Sequence, residues 1–144
     1  MRPEEVSGRA LAFLGDAAWS LLVREYLIEH GYARGSDLQR LAVTFVSARA
    51  QADAYDFLHA EGFFTEQEEA VFKRGRNDSA GTVPRNTPAP IYRKSTGFEA
   101  IIGDLKLRGE WSRIETIWSR VSARREEKNG TIGLREKRGK ADPE

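Results

Sequence analysis

A chain of 144 residues with 40% apolar and 31% charged residues has the size and composition of one globular domain. It has no Cys and only two His, which excludes disulfides, thiolate metal sites, a cysteine nucleophile and a histidine metal cluster, so any chemistry rests mainly on oxygen ligands. The formal charge of +1 conceals an uneven distribution, because residues 1–72 carry −6 whereas residues 73–94 carry +5. No apolar run approaches the ~18 residues of a membrane span and Met1-Arg-Pro-Glu-Glu is not an apolar leader, so a soluble cytoplasmic protein is expected.

In chain order, residues 10–23 contain only Gly15, Asp16 and Ser20 besides Ala and large apolar side chains. That pattern predicts a helix buried on nearly every side, with Gly31 as its left-handed cap. Ser36-Asp-Leu-Gln39 reads as a capping box opening one long amphipathic helix, with Leu38, Leu41, Phe45, Ala48, Ala52, Tyr55 and Leu58 in its stripe until Gly62. Thr65-Glu-Gln-Glu68 is a second capping box, whose short helix is expected to stop at Gly75. Residues 76–90 hold Gly81, Pro84, Pro88 and Pro90 and predict a long loop. Helix resumes near Tyr92, carries Phe98, Ile101, Ile102 and Leu105, and stops around Gly109. Ile114, Ile117, Trp118 and Val121 define a last helix. Large apolar residues then all but vanish, giving a domain over residues 1–125 and a disordered charged tail over 126–144. No segment alternates as a strand, so the predicted class is all-α.

Two acids stand in apolar company, Asp16 within Leu11-Ala-Phe-Leu-Gly-Asp16-Ala-Ala-Trp19 and Glu99 within Phe98-Glu-Ala-Ile-Ile-Gly103. Burying a bare carboxylate costs several kcal/mol, about 3 or more, unless it is paired or bound to a metal. Small neighbours at helical spacing (Ala12 and Ser20; Ser95 and Gly103) leave room for Mg²⁺, which commonly takes one or two carboxylates plus water and phosphate oxygens. The structural alternative is that Asp16 caps a helix break at Gly15 and Glu99 pairs with Arg93 or Arg24. Both readings are open on spacing alone. The segment with Lys73, Arg74, Arg76, Asn77, Arg85, Asn86, Arg93 and Lys94 is either a solvated face or a phosphate-binding surface. Its lack of aromatic residues from Lys73 to Ile91 favours duplex backbone contact over base stacking.

These stretches resemble the ribonuclease III catalytic domain: residues 11–19 its signature around Leu-Gly-Asp, and Thr96-Gly-Phe-Glu-Ala-Ile-Ile-Gly103 its second motif around Glu-Ala-Leu-Ile-Gly. Phe45-Val-Ser-Ala-Arg-Ala-Gln-Ala52, Arg74-Gly-Arg-Asn77 and Gly81-Thr-Val-Pro-Arg-Asn-Thr87 are similar to the short form of that family, Mini-ribonuclease III, which has no double-stranded-RNA-binding domain. The resemblance spans residues 10–121. It implies a helical endonuclease fold that forms a homodimer through the signature helix, with Phe13 packing across the axis. It also implies Mg²⁺-dependent cleavage of double-stranded RNA to 5′-phosphate and 3′-hydroxyl ends, with Asp16 and Glu99 as catalytic metal ligands. In the bacterial family the task is maturation of both ends of the 23S ribosomal RNA precursor, and a ribosomal protein on the substrate is a further partner to consider. Longer members place another glutamate where this chain has Ala12 and an aspartate where it has Thr96, so a two-metal site does not follow. The alternatives are a catalytically weak or inactive dimeric RNA-binding protein and, third, a helical interaction module. Asp104, near the second motif, reads as a surface acid, and His30 and His59 read as solvent-facing or capping residues.

Overall fold

The computed structural model describes residues 2–79 and 83–127. After a 3₁₀ turn at Pro3–Glu5, six helices follow: α1 (Gly8–Glu29), α2 (Gly35–Val46), α3 (Ala48–Ala60), α4 (Glu66–Asp78), α5 (Ala89–Leu107) and α6 (Trp111–Arg125). No strand occurs among the described residues. The all-α expectation holds.

Helix α5 is the axis of the molecule. It is buried almost continuously from Ser95 to Leu105, and α1, α3 and α4 pack around it. On α1, Ser7 accepts the Ala10 amide at 3.1 Å to cap the start, and Gly31 at φ 92° takes the left-handed turn beyond the end. Trp19 meets Phe98 and Trp118 edge-on at ring separations of 5.0 and 5.2 Å, and donates its indole N–H to the Phe45 carbonyl at 3.4 Å. Phe45, Tyr26, Ile114 and Ile117 complete this cluster, which ties α1, α2, α5 and α6 together. On α4, the Thr65–Glu68 capping box forms as predicted, with bonds of 3.0 and 2.9 Å. Glu68 is also buried against Arg113, whose two nitrogens reach it at 2.7 and 2.8 Å, so one carboxylate caps α4 and fastens it to α6.

Several local expectations change. The long helix over 36–62 is two helices, because Ser47 turns extended (ψ 157°) and accepts the Ala50 amide at 3.2 Å as the cap of α3. Its apolar stripe continues across the break because both helices face the same core. Ser36 does not open a capping box, since α2 starts at Gly35 behind Arg34, which makes no side-chain cap. Gly75 does not end α4. It lies buried inside the helix, where a Cβ would sit 2.6 Å from the Ala100 Cβ, and α4 runs on to Asp78. The loop is correspondingly shorter, and α5 begins at Ala89 with Pro88 at its N-cap and Pro90 in its first turn, where a missing N–H costs nothing. Glu126, expected at the start of the tail, accepts a hydrogen bond from the Tyr26 hydroxyl. Residues 128–144 of that predicted tail lie outside the described residues. Nor is α1 buried all round: Phe13, Leu21 and Ile28 stand 83%, 50% and 63% exposed along one face.

The closest approach is between α1 and α5. A Cβ built on Gly15 would lie 1.8 Å from the Glu99 carbonyl oxygen, and one on Gly103 would lie 1.9 Å from that of Leu11. The two backbones therefore touch, and no side chain fits between them. Gly103→Ala should cost about 3 kcal/mol or more, since the obstruction is backbone on a packed helix. Gly35→Ala, with nothing within 4 Å of the added carbon, should change stability by less than about 1 kcal/mol. Denaturant melts of the two variants measure the contrast.

Candidate active site

Gly15 and Glu99 touch through backbone, so Asp16 and the Glu99 side chain are brought to the same crossing. The two carboxyls lie close enough to couple electrostatically. Asp16 is exposed, whereas Glu99 is largely withdrawn from solvent. Burial first, then the neighbouring carboxyl of Asp16 and its charge, push the Glu99 carboxyl up to about 9, against a smaller opposing pull from the Gln51 amide. Neither structural alternative for the acids is found. Helix α1 runs unbroken through Gly15, and the neighbour of Glu99 is another acid rather than Arg24 or Arg93. Among the described residues no third His, Asp or Glu joins the pair. Two facing carboxyls with small residues around them, one open to solvent, suit a hard cation that keeps much of its water and phosphate coordination.

An open cavity of about 960 Å³ lies at the N-terminal part of α5, lined by Tyr55, His59, Lys73, Arg76, Arg93 and Lys94 among others, with neither Asp16 nor Glu99 in its wall. Helices α3 and α5 run antiparallel here, with Gln51 facing Glu99 and Asp56 holding Lys94 at 2.9 Å. Lys94 is five residues before Glu99 on α5, an axial offset of about 7.5 Å between their backbones. The floor is the Tyr55 ring stacked on Phe72 at 3.7 Å, with the Arg76 guanidinium 5.8 Å from the Phe72 centroid. Glu69 accepts from the Tyr55 hydroxyl at 2.5 Å and meets His59 Nδ1 at 2.6 Å. Burial and that carboxylate push the Tyr55 hydroxyl up, so it stays a donor.

The predicted RNA-contacting residues divide between this cavity and other places. Arg76, Asn77, Arg93 and Lys94 line it. Arg74 does not, since its guanidinium donates to the Val6 carbonyl and clamps the N-terminal segment. Arg85 and Asn86 are exposed on the turn closed by the Thr87 amide and the Pro84 carbonyl at 3.2 Å.

A family profile for the ribonuclease III domain matches residues 9–110. The chain belongs to the ribonuclease III family. It is 38% identical over 114 residues to a protein named Mini-ribonuclease 3 from Enterococcus faecalis, covering 79% of this chain and 86% of that one. A Mini-ribonuclease 3 from Symbiobacterium thermophilum is 43% identical over 107 residues, 74% and 81% of the two chains. The X-ray structure of a Fusobacterium nucleatum protein superposes with a TM-score of 0.75 at 32% identity, over 83% of this chain and 93% of that one.

Within this ribonuclease III fold, Asp104 corrects the sequence reading. It is 3% exposed rather than a surface acid, because its helix position points inward and Arg108 Nε pairs with it at 2.9 Å. His30 caps α1, its Nδ1 2.9 Å from the Tyr26 carbonyl. The cavity residues Tyr55, Asp56, His59 and Glu69 carry no sequence signal as a group, because only the packing of α3 against α4 assembles them. Gln51 was equally hidden, as one polar residue within an amphipathic helix.

The carboxyl pair makes stability pH-dependent. Glu99 is held protonated to about pH 9 in the fold but ionises near 4.5 when unfolded, so the folded state binds the extra proton and stability falls as pH rises between those values. Glu99→Gln removes this dependence. In EDTA its melting temperature should exceed that of the unsubstituted chain by a margin that widens from pH 5 to pH 8, by up to about 1.4 kcal/mol per unit. An equal margin at both pH values would contradict the proton held on Glu99.

Proposed function

We propose that the chain is a Mg²⁺-dependent endoribonuclease that cleaves double-stranded RNA and leaves 5′-phosphate and 3′-hydroxyl ends. The observation that carries this reading is the Asp16–Glu99 pair, set at a backbone contact on the same helix α5 that carries Arg93 and Lys94 into a cavity shared with Arg76. Family membership supports ribonuclease activity, and the curated relatives named Mini-ribonuclease 3 support its form. Asp16 and Glu99 are the residues that would hold Mg²⁺, which when bound activates water and offsets charge on the scissile phosphate. Asp16, open to solvent, presents its carboxylate to the incoming phosphate side, while half-buried Glu99 fixes the inner edge of the site. Arg76, Arg93 and Lys94 hold the flanking backbone, with Arg85 and Asn86 reaching from the turn. No side-chain base is required, which suits a site whose nearest His, His59, is engaged by Glu69.

The exposed row of Phe13, Leu21 and Ile28 on α1 supports a homodimer formed through this helix, since water-facing apolar rows of this kind mark contact surfaces. The expected substrate is the stem of the 23S ribosomal RNA precursor, presented with or without a ribosomal protein, in the cytoplasm. A binding protein of reduced or no catalytic power is the second reading, and the observation favouring it is that among the described residues no third carboxylate or histidine joins the pair.

Asp16→Asn should abolish Mg²⁺-dependent cleavage of a duplex while the protein keeps its melting temperature and sediments as a dimer; full activity would refute the site. Arg76→Ala should raise KM several-fold with little effect on kcat. It should also lower the slope of log affinity against log salt by about one phosphate contact, and an unchanged slope would remove Arg76 from the RNA surface.

A further inference from the structure

The stretch from Phe45 to Ala52 contains one polar side chain that α3 carries into the interior. Gln51 is 2% exposed, and its Nε2 has no hydrogen-bond partner. An orphaned buried amide donor costs about 1–3 kcal/mol, and native proteins hold few of them. A Leu or Met would fill the same space without that cost. The amide faces the Glu99 carboxyl, and its effect there is to favour the charged form. It lies on α3, which packs against α5.

We infer that Gln51 is a positioning residue for Glu99: its Nε2–H donates to one oxygen of the Glu99 carboxylate and leaves the other for the cation held with Asp16. This rests on the nuclease reading of the pair. A carboxylate offers two oxygens with about four acceptor sites, so a donor on one orients the other. Carboxylates that bind metals are usually held in this way by a neighbouring donor. The choice of Gln has a chemical reason. Lys or Arg at this place would pair with Glu99 and cancel the charge that attracts the cation, and Glu would add a third negative charge to a pair that already resists ionising. A neutral amide orients without neutralising. The unpartnered Nε2–H is what this role requires, a buried donor near Glu99 that is committed to no other group.

The test is Gln51→Met, nearly isosteric and without a donor, with Gln51→Leu as the second variant if Met does not fold. Two quantities are measured: the melting temperature in EDTA, and Mn²⁺ affinity of the RNA-free protein by titration calorimetry, supplemented by the Mg²⁺ dependence of duplex cleavage. The variant should melt at or above the temperature of the unsubstituted chain, because an orphaned donor is gone. Its Mn²⁺ Kd and its half-saturating Mg²⁺ should both rise about tenfold or more. A folded variant with unchanged Mn²⁺ affinity would overturn the role of Gln51 alone. A variant that melts well below the unsubstituted chain, with metal affinity lost only in proportion to the unfolded fraction, would make the amide structural. If the unsubstituted chain itself bound no Mn²⁺ and cleaved no duplex, the nuclease reading would fall first.

Discussion

The contact of α1 and α5 at Gly15 and Gly103 sets the distance at which the rest of the molecule operates. With no Cβ on either side, the backbones meet, and Asp16 follows Gly15 directly onto the carboxyl of Glu99. A methyl group at either glycine would have to separate two helices held by the Trp19–Phe98–Trp118 cluster, and the carboxyls would part with them. The same device repeats one turn away. Gly75 of α4 lies against Gly97 and Ala100 of α5, with Phe72 closing over Gly97, and this brings Arg76 and Asn77 beside the N-terminal half of α5. Both parts of the site, acidic and cationic, are therefore positioned by small residues along one helix.

That arrangement works against stability. Two carboxyls forced together at a partly dry crossing cannot both ionise at low cost, so Glu99 keeps its proton into the alkaline range, and Gln51 is left with an unused donor. Elsewhere the same fold gives its buried acids a guanidinium, Arg113 for Glu68 and Arg108 for one oxygen of Asp104. The contrast is informative. Glu68 and Asp104 each face a guanidinium, whereas Glu99 faces another acid and keeps its proton.

The sequence carried much of this in two forms. Asp16 and Glu99 were conspicuous because each interrupts an apolar run, and helix periods located α1, α4, α5 and α6 to within a few residues while joining α2 and α3 into one. What escaped had a common cause: a residue's local pattern is the same for two different tertiary roles. Gly75 reads as a stop because a glycine in a helix weakens it, yet its missing Cβ is used for contact with Ala100. The break at Ser47 was invisible because α2 and α3 bury one continuous stripe. Asp104 and Gln51 look like solvent-facing polar residues, and only the packing of a second helix over them turns them inward. The cavity around Tyr55 and His59 belongs to three helices at once and leaves no trace in any one of them.

Helix α1 has two faces with different surroundings. Its Gly15 side is committed to α5, and its Phe13, Leu21 and Ile28 side faces water in the isolated chain. Burying three large apolar side chains returns about 1.5–3 kcal/mol each, so this face is the part of the molecule with most to gain from association. Asp16 lies three residues beyond Phe13, hence on the border between the two faces. A dimer formed through Phe13 would then place its contact next to the carboxyl pair of each protomer. Any shift at that interface would be felt at the site through a helix too tightly packed on α5 to absorb it, which couples association to catalysis without a further structural element.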